Sequence, residues 1–270
     1  MGDMTILYLT HNALDEEIAT FCRRKLVEAA QELPIISVSQ QPIDLGTNIC
    51  LPDIGRSWRS IYRQLVEGLK ACDTQYVAVA EHDCLYTNEH FRHVPRDVDT
   101  FDYNKNCWLV QWKSNHPELD GMYSYWRRRL AQSQVVCWRE SLLQAVTERL
   151  ALVDAGLRGF RWAGEMGTMS PQTWDVVKTY AHWFDSGNPN LPLLLRHSAL
   201  AASGKPCHLI QFVEEHVTKW KHRTFVTAIP NLDIRHQGNF TGPKRGKLRR
   251  YDLPYWGRFA DLIGEASLHA

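Results

Sequence analysis

The chain has 270 residues, 44% of them hydrophobic, with 31 Lys and Arg against 30 Asp and Glu for a net charge of +1. That apolar content supports a packed core of one large domain or two small ones, and the near-neutral balance excludes a polyelectrolyte binder as a whole. Seven scattered cysteines without a Cys-x-x-Cys pair argue against a disulfide framework and for reduced thiols in a cytoplasmic setting.

Thr5 to Leu9 reads as a buried strand, ended by Thr10-His11-Asn12, with Asn12 placed to cap a helix. Leu14, Ile18, Phe21, Cys22, Leu26, Ala29 and Leu33 give that helix its apolar stripe, and Pro34 closes it. Ile35 to Ser39 is a second strand; the loop after it, with Pro42, Gly46 and Pro52, holds a short strand around Ile49. Ser57 caps the next helix, striped by Trp58, Ile61, Tyr62, Leu65, Leu69 and Cys72. Tyr76 to Ala80 is a third strand and runs straight into Glu81-His82-Asp83. This βαβαβ order implies parallel strands with right-handed crossovers.

Cys107 to Trp112 and Gln134 to Trp138 read as further strands, and Leu142, Leu143, Val146, Leu150 and Val153 line another helix. From about 155 to 206 the chain is rich in Trp, Gly and Pro without a clean period. A helix is expected from about Leu209 to Lys221 and a strand from Asn231 to Arg235. The stretch from Pro243 to Arg250 is basic and is expected to be mobile until a ligand orders it.

Glu81-His82-Asp83 is the most informative tripeptide. Two carboxylates at the carboxyl end of a buried strand stand where open α/β sheets place ligands, and an unpaired buried charge is costly. Alternate residues on an extended segment share a face, so Glu81 and Asp83 suit one Mg2+ or Mn2+; they equally suit a strand-end acid pair that caps a helix or meets an arginine. His82, Cys84, His90 and His93 are close in sequence, but their spacing fits no zinc pattern, and the histidines read as solvated. Asp233 to Gly242 carries His236 from a strand into a Gly-flanked loop with Asn239 and Thr241, followed by Lys244 and Arg245. An imidazole can ligate Mn2+ and such a loop can cradle phosphate, though a polar turn with a surface histidine has the same composition. Glu165, between glycines in an aromatic loop, suits a general base or a solvated loop acid, with Glu140 and Asp175 as lesser candidates. Tyr125 to Arg129, with the basic tail, suits a polyanion or a solvated face.

In this order the residues resemble a GT-A glycosyltransferase of the group allied to family-two enzymes. The resemblance implies a GT-A fold, a Rossmann-like mixed and mostly parallel sheet flanked by helices, with an irregular acceptor-side region. It implies one domain over 1–270: a nucleotide-sugar-binding half at 1–112, an acceptor-side half at 113–230, and a metal–diphosphate loop with its basic tail at 231–270. Glu81-His82-Asp83 takes the place of the family's Asp-x-Asp-type motif, departing from it in its first acid. The resemblance implies Asp83 and His236 as ligands to Mn2+ or Mg2+, and Glu165 as the base that inverting members carry. Thr10, His11, Asn12, Ser39, Arg56, Glu81, His82, Asn239, Thr241 and Lys244 would meet the nucleotide-sugar donor, a UDP-sugar being expected.

The resemblance extends to bacteriophage enzymes that glycosylate hydroxymethylated pyrimidines, and so implies DNA as the favoured acceptor, with a surface glycan or protein hydroxyl as the alternative. Of other classes, a nucleotidyltransferase would want a Gly-rich basic loop after the first strand, which Thr10-His11-Asn12-Ala13 lacks. A non-catalytic nucleic-acid-binding module stays open. No apolar run approaches the roughly 20 residues of a membrane span, and Met1-Gly2-Asp3-Met4 lacks the pattern of a signal peptide. The expectation is a cytoplasmic protein without a membrane partner.

Overall fold

In a computed structural model of the chain, described here for residues 3–125, 130–154, 165–168, 219–239 and 248–267, two strands form the centre. They are β1 (Met4–Leu9) and β4 (Tyr76–Glu81), paired parallel from Met4 against Tyr76 to Leu9 against Glu81. Their side chains alternate between two apolar layers, as the pleat requires. Leu7, Leu9, Val77 and Val79 face one layer, with Tyr62, Leu65 and Leu69 of α2 (Trp58–Ala71) and Leu142 and Val146 of α4 (Arg139–Asp154). Met4, Ile6, Tyr8, Ala78 and Ala80 face the other, with Leu26, Ala29 and Ala30 of α1 (Glu16–Ala30). Both faces are covered, so these strands are almost continuously apolar.

The first sheet has the order β10-β6-β9-β4-β1-β2-β3, completed by β2 (Ile35–Ser39), β3 (Thr47–Cys50), β6 (Thr100–Asn104), β9 (Val135–Trp138) and β10 (Lys221–Phe225). Only β9 runs antiparallel to its neighbours among these strands. The expected mixed, mostly parallel sheet flanked by helices is therefore observed. The chain goes from β1 to β2 and β3 on one side and returns to β4 on the other. The strand order thus reverses between β1 and β4, the place where open α/β sheets leave a crevice at their carboxyl edge. Helix α2 lies close against this sheet: a Cβ on Gly68 would stand 2.3 Å from Leu7 Cδ1 and 2.8 Å from Val38 Cγ2.

A second sheet has the order β12-β8-β7-β11-β5, from β5 (Cys84–Leu85), β7 (Cys107–Gln111), β8 (Tyr123–Tyr125), β11 (Asn231–Arg235) and β12 (Leu248–Arg250). Leu85, Val110, Tyr123, Leu232 and Ile234 pack there with Ile18 and Phe21 of α1 and with Phe259 and Ile263 of α5 (Phe259–Ser267). Helix α1 thus presents apolar side chains to both cores.

Several sequence expectations are corrected. Asp15, not Asn12, caps α1, its carboxylate accepting from Ile18 N–H. Asn12 sits at φ +59° and its Oδ1 accepts the Gln40 and Gln41 amides, tying the end of β1 to the end of β2. The helix ends at Ala30, before Pro34, with Gln31 at φ +56°. His90 is not solvated, and His93 is only partly exposed. His90 is fully buried beside Tyr86, Phe91 and Phe225 in and around the turn α3 (Asn88–Phe91), and His93 stacks on Phe225 at 3.7 Å. Lys221 begins a strand instead of ending a helix, the rest of that expected helix, 209–218, lying outside the described residues. Leu248–Arg250, expected to be mobile, pairs antiparallel with β8; 243–247 lie outside the described residues.

The β6–β10 edge is joined by a buried carboxylate. Asp102 accepts from Arg223 Nε and an Arg223 terminal nitrogen, both at 2.9 Å, and lies 2.7 Å from His93 Nε2. Burial pushes the Asp102 carboxyl up, but His93 and Arg223 outweigh it and hold it below the usual carboxylate range. A depressed folded value gives stability that is complete above the unfolded value near 3.9 and is lost as pH falls through the folded one. Asp102→Asn is expected to lower the unfolding free energy at pH 7 by about 2 kcal/mol and to flatten the acid limb of the stability curve; urea denaturation at pH 7 and below pH 4 checks both.

Candidate metal centre

The site is made by a change of sheet. Strand β4 ends at Glu81, the chain turns at His82-Asp83, and Cys84-Leu85 join the other sheet as β5. There Cys84 opposes Asp233 and Leu85 opposes Leu232, antiparallel. That register brings the carboxyl end of β11 back to the corner, and the Asp83 carbonyl accepts from Ile234 N–H at 2.7 Å. His236 follows β11 directly. One candidate ligand atom from each of His82, Asp83 and His236 therefore lies within 4.8 Å of the others, and a second group, Glu81, Asp83 and Cys84, meets the same limit. Asp83 is common to both, and these three-residue groups are found among the described residues.

Asp83 and His236 are 8% and 9% exposed, so their charge and hydrogen bonds need partners inside the protein. Asp83 Oδ2 accepts from Asn239 Nδ2 at 2.9 Å and lies 3.6 Å from His236 Nε2. At 3.6 Å the imidazole is an electrostatic neighbour, and His236 Nε2 is buried without a hydrogen-bond partner. Burial alone would raise the Asp83 carboxyl; the His236 and His82 imidazoles and the Arg235 guanidinium reverse this and hold it well below the usual range.

His82 Nδ1 is 3.0 Å from Thr10 Oγ1, which also accepts Asn12 N–H. The His11 ring meets His82 edge-on at 4.5 Å between centroids. Burial, then His82 and Arg56, lowers the His11 pKa to about 4, so it is neutral at neutral pH. His82 is lowered too, by burial first, against the opposing pull of Asp83. Neutral imidazoles are the form that binds metal.

The remaining expected residues divide clearly. Thr10, His11, Glu81, His82, Asp83, His236 and Asn239 come together at the β1–β4 switch. Arg56, before α2, reaches across to the Gly238 carbonyl. The Ser39 hydroxyl is buried and accepts from Asn48 Nδ2 at 2.9 Å. Glu165 belongs to neither ligand group; its segment is fixed to α4 and β6. The buried Arg149 donates to its carbonyl at 3.2 Å and to that of Thr168 at 2.8 Å, and Tyr103 Oη–H donates to Met166 O at 2.9 Å. Glu140 is exposed on the first turn of α4 and pairs with Arg139. Thr241, Lys244, Asp175 and the arginines of 127–129 lie outside the described residues. Cys84 joins the second ligand group without having been singled out for it; its burial pushes the thiol well up, which disfavours a thiolate ligand.

The sequence matches no protein-family model and no curated protein. Solved structures do match. One is the bifunctional IspDF from Campylobacter jejuni, at 10% identity over 54% of this chain and 43% of that one, with a TM-score of 0.30. Another is a Drosophila β-1,4-galactosyltransferase 7 mutant in complex with manganese, UDP-Gal and xylobiose, at 12% identity over 53% of this chain and 51% of that one, with a TM-score of 0.31. A third is a glycosyltransferase involved in the glycosylation of the major capsid of PBCV-1, at 10% identity over 98% of both chains, with a TM-score of 0.39. The matched region spans about half the length of the first two.

The donor set fits a divalent cation: one ionised carboxylate and two imidazoles within reach of one another, with a buried nitrogen that lacks a partner. Isothermal titration with Mn2+ is expected to show one site on the protein, lost in Asp83→Asn and weakened at least about tenfold in His82→Ala and His236→Ala. Unchanged binding in Asp83→Asn removes the assignment.

Proposed function

We propose that this protein is a divalent-cation-dependent glycosyltransferase that moves a sugar from a nucleoside-diphosphate donor, a UDP-sugar in the first instance, to a hydroxyl acceptor. The observation that carries the reading is the buried Asp83 carboxylate grouped with His82 and His236 at the carboxyl edge between β1 and β4. That edge of an open α/β sheet is where nucleotides are received, and a buried ionised acid there needs a cationic partner. The order of motifs along the chain agrees with it.

Asp83, His82 and His236 would hold the cation. Two imidazoles suit Mn2+ better than Mg2+, which keeps to oxygen ligands. Its chemistry would be to neutralise charge on the departing diphosphate, the electrostatic term that most often dominates. Thr10, His11 and Asn12 at the end of β1, with Ser39 at the end of β2, would flank the nucleoside. Arg56 would add positive charge on the diphosphate side, with Asn239, Thr241 and Lys244 completing that wall. Glu165 would take the proton from the acceptor hydroxyl, a contribution of ~10²–10⁴-fold, its backbone held in place by Arg149.

For the acceptor we extend the proposal to a hydroxymethylpyrimidine in DNA. Its support is the basic sequence of 127–129 and 244–250 with the adjoining aromatics. Among the described residues, Arg249 and Arg250 are exposed on β12, with Arg250 over the Trp108 ring at 5.8 Å. A duplex base would have to leave the stack to reach the site.

A panel of nucleotide sugars with Mn2+ is expected to yield nucleoside diphosphate slowly from one donor by hydrolysis, and faster when DNA containing hydroxymethylpyrimidine is present. Asp83→Asn should abolish release from a folded protein. Glu165→Gln should lose transfer by about 10²-fold or more while donor affinity is kept. Release stimulated by a glycan or peptide hydroxyl and not by DNA would move the acceptor without touching the reaction class.

A further inference from the structure

The four residues after β11 fold into a closed turn on top of Asp83. His236 N–H donates to Asn239 Oδ1 at 2.7 Å, Asn239 N–H to the His236 carbonyl at 3.1 Å, and Gly238 N–H to His236 Nδ1 at 3.1 Å. Arg56 holds the Gly238 carbonyl from outside. These bonds fix two orientations. Because Asn239 Oδ1 accepts a backbone N–H, the group 2.9 Å from Asp83 Oδ2 is the amide nitrogen, a donor. Because His236 Nδ1 accepts from Gly238, it carries no hydrogen, and the ring hydrogen is on Nε2, the nitrogen that faces Asp83. A cation would instead need the Asp83 oxygen bare and a lone pair on the imidazole nitrogen facing it.

We propose that the His236–Asn239 turn is a latch that competes with the cation for Asp83, with Asn239 as the residue that sets cation affinity. This rests on the reading of Asp83 and His236 as cation ligands. The Asn239 amide satisfies the buried carboxylate when no cation is present, which removes the cost of an unpartnered charge. Binding through His236 Nε2 moves the ring hydrogen to Nδ1, with no net change in protonation. Nδ1 can then no longer accept from Gly238, so the turn opens and the Gly238 N–H needs a new acceptor. Cation entry and the loosening of Gln237–Asn239 are one event. Gly238 is suited to this turn because a Cβ there would stand 2.9 Å from His236 Cε1 and 3.0 Å from Nδ1, against the ring.

Two variants and one spectrum test it on the full chain. Mn2+ affinity, followed by electron paramagnetic resonance of the free ion, is expected to rise about tenfold in Asn239→Ala, because a hydrogen bond to a charged group no longer competes. It should rise also in Gly238→Ala, which pushes the turn off the imidazole; far-ultraviolet circular dichroism and a thermal melt confirm that both variants fold. Nitrogen-detected spectra of the histidine rings should show His236 with its hydrogen on Nε2 without metal, and on Nδ1 once Cd2+ is added. Equal or weaker Mn2+ binding in both variants overturns the latch and leaves the cation site standing, as does a ring that keeps its Nε2 hydrogen with Cd2+ bound. No Mn2+ binding by the wild type or either variant overturns the cation reading and the latch with it.

Discussion

Two ladder pairs, Cys84 with Asp233 and Leu85 with Leu232, decide where the chemistry stands. Without them β4 would end in a surface loop, and His82 and Asp83 would be solvated. With them the chain leaves one sheet and enters the other within two residues. Asp83 is pulled below the surface, and His236 arrives from the far end of the chain at the same corner. The rest of the molecule serves this crossing. Helix α1 supplies apolar side chains to both cores, Leu26 and Ala29 to one and Ile18 and Phe21 to the other, so the angle between the sheets is fixed by packing on both sides of the corner.

Electrostatics follows from that burial. A carboxylate moved out of water gains a strong reason to be neutral, yet the Asp83 environment favours its charged form. The balance is tipped by the His236 and His82 imidazoles and the Arg235 guanidinium, and the Asn239 amide donates to the same carboxylate. Arg235 is itself tied to Asp233 at 2.9 Å within β11. Its charge is therefore partly spent on a neighbour and reaches Asp83 as a field, while the imidazoles and the amide stand nearest the carboxylate. That division leaves hydrogen-bonding side chains that can change partner against the acid, which is what a site that exchanges ligands requires.

Local pattern made the central strands legible. Tyr76 to Ala80 and Thr5 to Leu9 are almost wholly apolar on both faces and need no context to be read, and the polar residues at their carboxyl ends read as a ligand site on that basis. The elements that went unread are those whose existence depends on a partner. A two-residue strand such as Cys84–Leu85 has no period at all. Thr100–Asn104 carries Asp102 and Asn104 in positions a buried strand should avoid, and they are admissible only because Arg223, His93 and Thr227 wait across the gap. Leu248–Arg250 reads as a solvated basic run until β8 is there to pair with it. His90 reads as solvated for the same reason: Tyr86 and Phe91 stand beside it in sequence, but Phe225 of β10, which helps to enclose it, comes from far along the chain. Asn12 has every attribute of a helix cap, and is used instead where a residue at positive φ must gather two amides just past the end of β2.

The two halves of the candidate centre differ in how they are held. Asp83 is anchored through its main chain, its carbonyl bonded to Ile234 inside a sheet, so its carboxylate can change partner without moving the backbone. His236 and Asn239 belong to a turn closed by its own hydrogen bonds, with Arg56 as an outside contact from another element. Breaking one bond in a sheet disturbs a ladder, whereas breaking one in a four-residue turn costs about as much as that bond alone. Any rearrangement on ligand entry should therefore fall on the turn and spare the corner. The fixed acid sets the position of the site, and the turn sets the free-energy threshold for occupying it.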